Sequence, residues 1–139
     1  MFYAELLSGI WVSDTDILTK KQFFLDNHIT IILNCTQLYE FPALSDAVQK
    51  IRLPFSPQQS DKHNLDLLLE NHRKITDFLK SQMDHHNILI CCYDGKSLSP
   101  MIVALLIAKI SNIDKKSIYE ILLSHHSDFS LWCDLSLFQ

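Results

Sequence analysis

Two short stretches constrain this chain more than any other feature. Ile29-Thr30-Ile31-Ile32-Leu33-Asn34 and Asn87-Ile88-Leu89-Ile90-Cys91 carry β-branched and apolar residues on both faces of a strand. A strand without a polar face has to be covered from two sides, the condition of a central strand in a parallel sheet. Parallel neighbours need long crossovers, usually helical, and the intervening sequence supplies them. Leu65–Met83 places Leu65, Leu68, Leu69, Ile75, Phe78 and Leu79 at helical spacing, an amphipathic helix. Pro100–Ile110 reads as an apolar helix with Pro in its first turn, and Asp114–Ser124 as another. Upstream, Glu5–Val12 reads as one short strand with Gly9 inside or ending it. Asp14 or Thr15 is placed to cap a helix over Asp16–Asn27. Leu38–Ala47 contains Pro42 and reads as a loop or a short turn of helix. Val48–Leu53 is a further strand, Pro54–Asn64 a loop, and Phe129–Phe138 is apolar enough to pack. Strands separated by helices predict an α/β fold, a central and mostly parallel sheet flanked by helices on both faces. With 139 residues, no internal repeat and no linker, 1–139 is expected to form a single domain.

Charge and composition narrow the function classes. Lysine and arginine total 12 against 16 acidic residues, a formal net charge of −4, with no dominant basic patch, which argues against nucleic acid as a partner. No apolar run approaches the ~18 residues needed to span a bilayer. Met1–Trp11 is too short for a secretory signal, lacks a basic start and is interrupted by Glu5. The expected location is therefore cytoplasmic or nuclear, with no membrane partner. Cys35, Cys91, Cys92 and Cys133 show no metal-ligand spacing, so reduced thiols and no metal are expected.

In open α/β sheets, sites form at the carboxyl ends of the strands. The best candidate is Cys91-Cys92-Tyr93-Asp94-Gly95-Lys96-Ser97-Leu98-Ser99-Pro100, which joins a buried strand to a buried helix. The chain has only two glycines, Gly9 and Gly95, and one sits in the middle of this loop. Backbone N–H groups of such a turn, with those of the helix start, can form an anion cradle. A thiol at its base would lie at a helix N-terminus, where the thiolate is favoured, and Ser99 could hydrogen-bond that sulfur.

The loop resembles the signature of cysteine-dependent protein phosphatases, His-Cys-x-x-Gly-x-x-Arg-Ser, with Cys92, Gly95 and Ser99 at its spacing. Leu7-Ser8-Gly9-Ile10 is similar to the first strand of the dual-specificity phosphatases, and Ile29-Thr30-Ile31-Ile32-Leu33-Asn34-Cys35-Thr36 to their second. Leu53-Pro54, the long helix and the loop follow in the family's order. The resemblance implies a dual-specificity phosphatase-like fold over most of the chain. It implies Cys92 at the nucleophile position, with Tyr93, Asp94, Gly95, Lys96, Ser97 and Leu98 as the phosphate-binding loop. It also implies direct thiolate attack, without a cofactor.

The departures bear on activity. The signature Arg, a bidentate clamp on the phosphoryl group, falls on Leu98. Loss of such a group costs on the order of 10²–10³ or more in rate. Lys96 offers only a point charge nearby, and neither Arg52 nor Arg73 is placed by sequence to substitute. The signature His is Cys91, which removes an influence favouring the thiolate. Laying Leu53-Pro54-Phe55 on the family pattern puts Ser56 where the general acid Asp is expected. Asp61, five residues on, could serve if the loop folds back.

These residues support three readings. The first is a pseudophosphatase that binds a phosphorylated protein or a protein partner. The second is a weak protein tyrosine/serine/threonine phosphatase using Cys92 through a thiophosphoryl intermediate. The third is a structural or oligomeric module whose pocket has collapsed around Leu98. Outside the motif, Cys35, Cys133, Trp11 and Trp132 read as packing residues. Redox pairing of Cys91 with Cys92 is disfavoured, since neighbours on a strand point to opposite faces.

Overall fold

The computed structural model describes residues 1–138. Its single sheet runs β1 (Tyr3–Leu7), β2 (Ile10–Ser13), β5 (Asn87–Cys91), β3 (Ile29–Asn34), β4 (Gln49–Arg52) from edge to edge. Only β1 and β2 are antiparallel; β2–β5, β5–β3 and β3–β4 are parallel. The two strands that the sequence marks as apolar on both faces, β3 and β5, lie side by side at the centre.

Alternation along these strands sorts the core into two layers. Ile10, Val12, Ile31, Leu33, Ile88 and Ile90 face three helices: α2 (Lys62–Gln82), α3 (Leu98–Ile110) and α4 (Lys115–His125). Ile29, Ile32, Leu89 and Cys91 face the other way, onto Ile17, Leu18 and Phe24. A register shift between Ile29 and Ile31 in the β3–β5 ladder lets both Ile29 and Ile32 reach that second layer. α3 is buried nearly all round over its first ten residues, which explains why it lacks an amphipathic pattern.

Several element boundaries differ from the sequence reading. The single strand expected over Glu5–Val12 is a hairpin that turns at Ser8-Gly9. Gly9 sits at φ +78, and a Cβ there would stand 2.8 Å from Asn87 Oδ1, so the turn needs glycine. The helix expected over Asp16–Asn27 is a 3-10 turn (Thr15–Thr19), capped by Asp14, followed by α1 (Lys21–Asp26); the chain breaks direction at Lys20. α2 starts at Lys62 rather than Leu65, because Asp61 Oδ1 accepts from the His63 N–H at 2.9 Å and caps the helix there.

Among the described residues no helix is long and apolar enough to cross a membrane.

Candidate active site around Cys92

The carboxyl ends of β2, β5, β3 and β4 converge on one rim, and the loop from Cys92 to Ser97 rises between β5 and α3. Its shape is imposed from below. Gly95, at φ +72, presses on the end of β2: a Cβ would lie 2.6 Å from both the Ser13 carbonyl carbon and the Asp14 amide nitrogen. The Cys92 N–H donates to Ser13 O at 3.1 Å, which ties the loop to that strand. Pro100 is the third residue of α3, where the missing N–H is one the helix would not use. Helix α3 therefore begins at Leu98, two residues before the sequence suggests.

Cys92 lies at the base of the loop, 1% exposed. Three donors converge on its sulfur. The Gly95 N–H stands at 3.2 Å, the Ser99 N–H at 3.4 Å and the Ser99 hydroxyl at 3.1 Å. Each favours the thiolate, yet burial outweighs them and pushes the thiol above its ordinary 9.0. The Asp94 carboxylate adds to the rise, with Oδ1 3.6 Å from the sulfur. Cys91 points to the opposite layer, where burial pushes its thiol up to about 12.

Asp94 organises the rest of the loop. Its Oδ1 accepts from the Lys96 N–H at 2.9 Å and from the Ser97 hydroxyl at 3.2 Å. An anion already belonging to the chain thus occupies donors that a phosphate-binding loop would offer a ligand. The Lys96 side chain lies elsewhere, 3.7 Å from Asp128 and 5.2 Å over the Phe2 ring. Leu98 is 7% exposed and packs into the core beside Cys92 while still reaching the cleft.

The cleft over Cys92 measures about 280 Å³. Its walls bring together Cys92, Tyr93, Asp94, Ser97 and Leu98 from the loop with Ser56 from the segment after β4. Asn64 fixes Ser56: its Oδ1 accepts from the Ser56 N–H at 2.7 Å, and its Nδ2 donates to Ser56 O at 3.0 Å. Asp61 does not line this cleft; it faces a separate depression beside Trp132 and caps α2. Ser99 is wholly buried beneath the sulfur. Arg52 is engaged at the far side of the rim, donating to Thr36 O at 2.9 Å and Tyr39 O at 2.7 Å, and Arg73 lies on α2 in a different cavity.

Pro57, Gln59, Asn64 and Trp132 line the cleft without a mark in the sequence reading. Trp132 and Gln59 clasp each other across the rim, with Gln59 Nε2 donating to Trp132 O and Trp132 Nε1 to Gln59 O, both at 3.2 Å. Separated by 73 positions, they leave no local signature; a single Trp in an apolar tail looks like packing. Tyr93 is a second tie: its hydroxyl donates to Phe55 O at 2.7 Å and accepts from the Gln37 N–H at 3.2 Å. It holds the segments after β3 and β4 against the Cys92 loop. Among the described residues no group of three or more His, Cys, Asp or Glu side chains is arranged to hold a metal ion.

Comparisons with known proteins agree with this architecture. A family model described as the Rit1 DUSP-like domain matches residues 52–127, more than half of the chain. Human DUSP28 superposes with a TM-score of 0.81 at 11% identity, over 98% of this chain and 91% of that one. A human tyrosine phosphatase-like serine/threonine/tyrosine-interacting protein gives 0.78 at 12% identity, over 93% and 87%. A leucine rich repeat and phosphatase domain containing protein from Entamoeba histolytica gives 0.76 at 13%, over 98% and 89%. At these identities the likeness is one of fold. No curated protein sequence matches the chain.

Proposed function

The chain belongs to the Rit1 DUSP-like domain family, and from that premise we propose that it is a pseudophosphatase. In this reading it keeps the dual-specificity phosphatase shell and Cys92 but works by binding a phosphorylated protein or a protein partner rather than by efficient dephosphorylation. One observation carries the reading: among the described residues, no Arg, Lys or His lines the cleft over Cys92. Phosphoryl transfer rests almost wholly on positioning and on cationic stabilisation of the equatorial oxygens. A phosphoryl group of charge roughly −2 would instead meet Leu98 where the signature Arg is expected, and the Asp94 carboxylate beside the sulfur. The raised thiol works in the same direction, since the nucleophile is the thiolate. Residues 1–139 act as one domain in a reducing intracellular compartment, where all four cysteines stay free.

A weak phosphatase is the alternative. There the Cys92 sulfur would bond phosphorus as the ester oxygen leaves, and water would later release phosphate. The departing oxygen needs a proton, and neither Ser56 nor the helix-capping Asp61 is a carboxylic acid aimed into the cleft. The collapsed-module reading is disfavoured by a cleft that still holds about 280 Å³.

The test is hydrolysis of a fluorogenic aryl phosphate across several pH values, with Cys92→Ser run in parallel. Equal rates are expected; turnover that disappears in Cys92→Ser overturns the proposal. In Leu98→Arg, tungstate should bind more tightly and raise the melting temperature. Turnover should stay low unless Ser56→Asp restores an acid, and high activity from Leu98→Arg alone would reveal an acid already in place.

A further inference from the structure

Away from the Cys92 cleft, α2, α3 and α4 leave a second cavity of about 450 Å³, closed at one end by the 3-10 turn Leu135–Phe138. It shares no lining residue with the cleft. Its floor is apolar, with Leu105, Ile118 and Leu135 buried. Phe138 forms a wall, its ring 5.0 Å from the His72 ring in an edge-on contact.

The rim is cationic, but its charges are not equivalent. Lys109 is paired with Asp77 and donates to Thr76 Oγ1 at 3.3 Å; Lys115 is paired with Asp134 at 3.1 Å. Among the described residues the Arg73 guanidinium has no ion-pair partner. Among the described residues, Arg73 is thus the one cation of the wall without an ion-pair partner, and its planar fork suits an oxyanion. His72 registers the same field. Partial burial first, then the charges of Arg73 and Lys109, hold its imidazole below the ordinary 6.5. An apolar floor, a guanidinium fork without an ion-pair partner among the described residues and a volume within the range of small-molecule pockets form a coherent recognition pattern.

We propose that this cavity binds a small organic anion. Its phosphate or carboxylate head sits on Arg73 and His72, and its aromatic or aliphatic body on the accessible apolar surface of Ala108, Ile113 and Phe138 above that buried floor. The site is independent of Cys92 and of the pseudophosphatase reading.

Amide and imidazole NMR titration of the intact chain tests the assignment. Phenylphosphonate, which has no ester bond to cleave, is the reference probe. Methylphosphonate lacks the body, benzyl alcohol lacks the charge, and benzoate exchanges the head. Saturable shifts at the α2–α3–α4 junction are expected with phenylphosphonate, weaker with methylphosphonate and benzyl alcohol. Arg73→Leu removes a charge-assisted bidentate contact and should weaken binding about tenfold or more. Because Arg73 lies on the exposed side of α2, the variant's own spectrum will report an intact fold. Cys92→Ser should bind as the wild type does. Saturation should raise the His72 pKa, since a bound oxyanion offsets the repulsion from Arg73 and Lys109. Preference for phenylphosphonate over benzoate, or the reverse, identifies the head. The proposal is overturned by unsaturable shifts, by unchanged affinity in Arg73→Leu, or by shifts confined to residues 92–98.

Discussion

At the scale of single residues, Gly95 and Asp94 set the character of the loop. Gly95 combines a positive φ with backbone atoms 2.6 Å from where a Cβ would stand, and neither Ser13 nor Asp14 can yield without moving β2. Gly95→Ala should destabilise the chain by about 2 kcal/mol or more, read as a lower urea midpoint; an unchanged midpoint would mean the loop can shift. Asp94 raises the Cys92 thiol after burial has done so. Asp94→Asn should therefore increase the thiolate fraction at a given pH and speed alkylation of Cys92 by iodoacetamide near pH 8, followed by peptide mass spectrometry. Burial remains, so the gain should be modest, and a rate that falls would contradict the electrostatic account. Cys92, Gly95 and Ser99 were legible because their spacing is local. The part played by Asp94 was not: a side chain in a turn can face solvent or fold back on its own loop, and only the folded backbone decides which.

At the scale of elements, α2 shows how a capping residue can be mistaken for a chemical one. Asp61 stands in a polar loop at about the distance where an acid could serve, yet its carboxylate accepts the His63 N–H, and the residue lies outside the cleft. Asp61→Ala should cost about 1 kcal/mol of stability, while Asp61→Ser, which can still cap, should recover most of it. Thermal unfolding of the two variants distinguishes a cap, for which they differ, from a residue without structural weight, for which they do not. In sequence the hairpin β1–β2 reads as one strand, because apolar residues run through Leu6, Leu7 and Ile10 with little alternation to mark a turn. Its signal was Gly9 alone, whose positive φ becomes necessary only when Asn87 packs against it.

At the scale of the whole molecule, β3 and β5 belong to both core layers, so neither layer can come apart while the other remains. One cooperative transition is expected, with coincident midpoints by far-UV circular dichroism and by fluorescence of Trp11 and Trp132; separated midpoints would refute the single-domain reading. Residue pattern alone establishes the central strands, the helical crossovers, the parallel character of the sheet and the Cys92 loop at its carboxyl edge. Each of these follows from hydrophobic period or from residues adjacent in the chain. Packing in three dimensions settles that Trp132 and Gln59 close one wall, that Asp61 stands outside, and that Arg73, without an ion-pair partner among the described residues, borders a second cavity. Those arrangements join positions far apart in sequence, and their partners are chosen by how helices pack on the sheet, which no local pattern encodes.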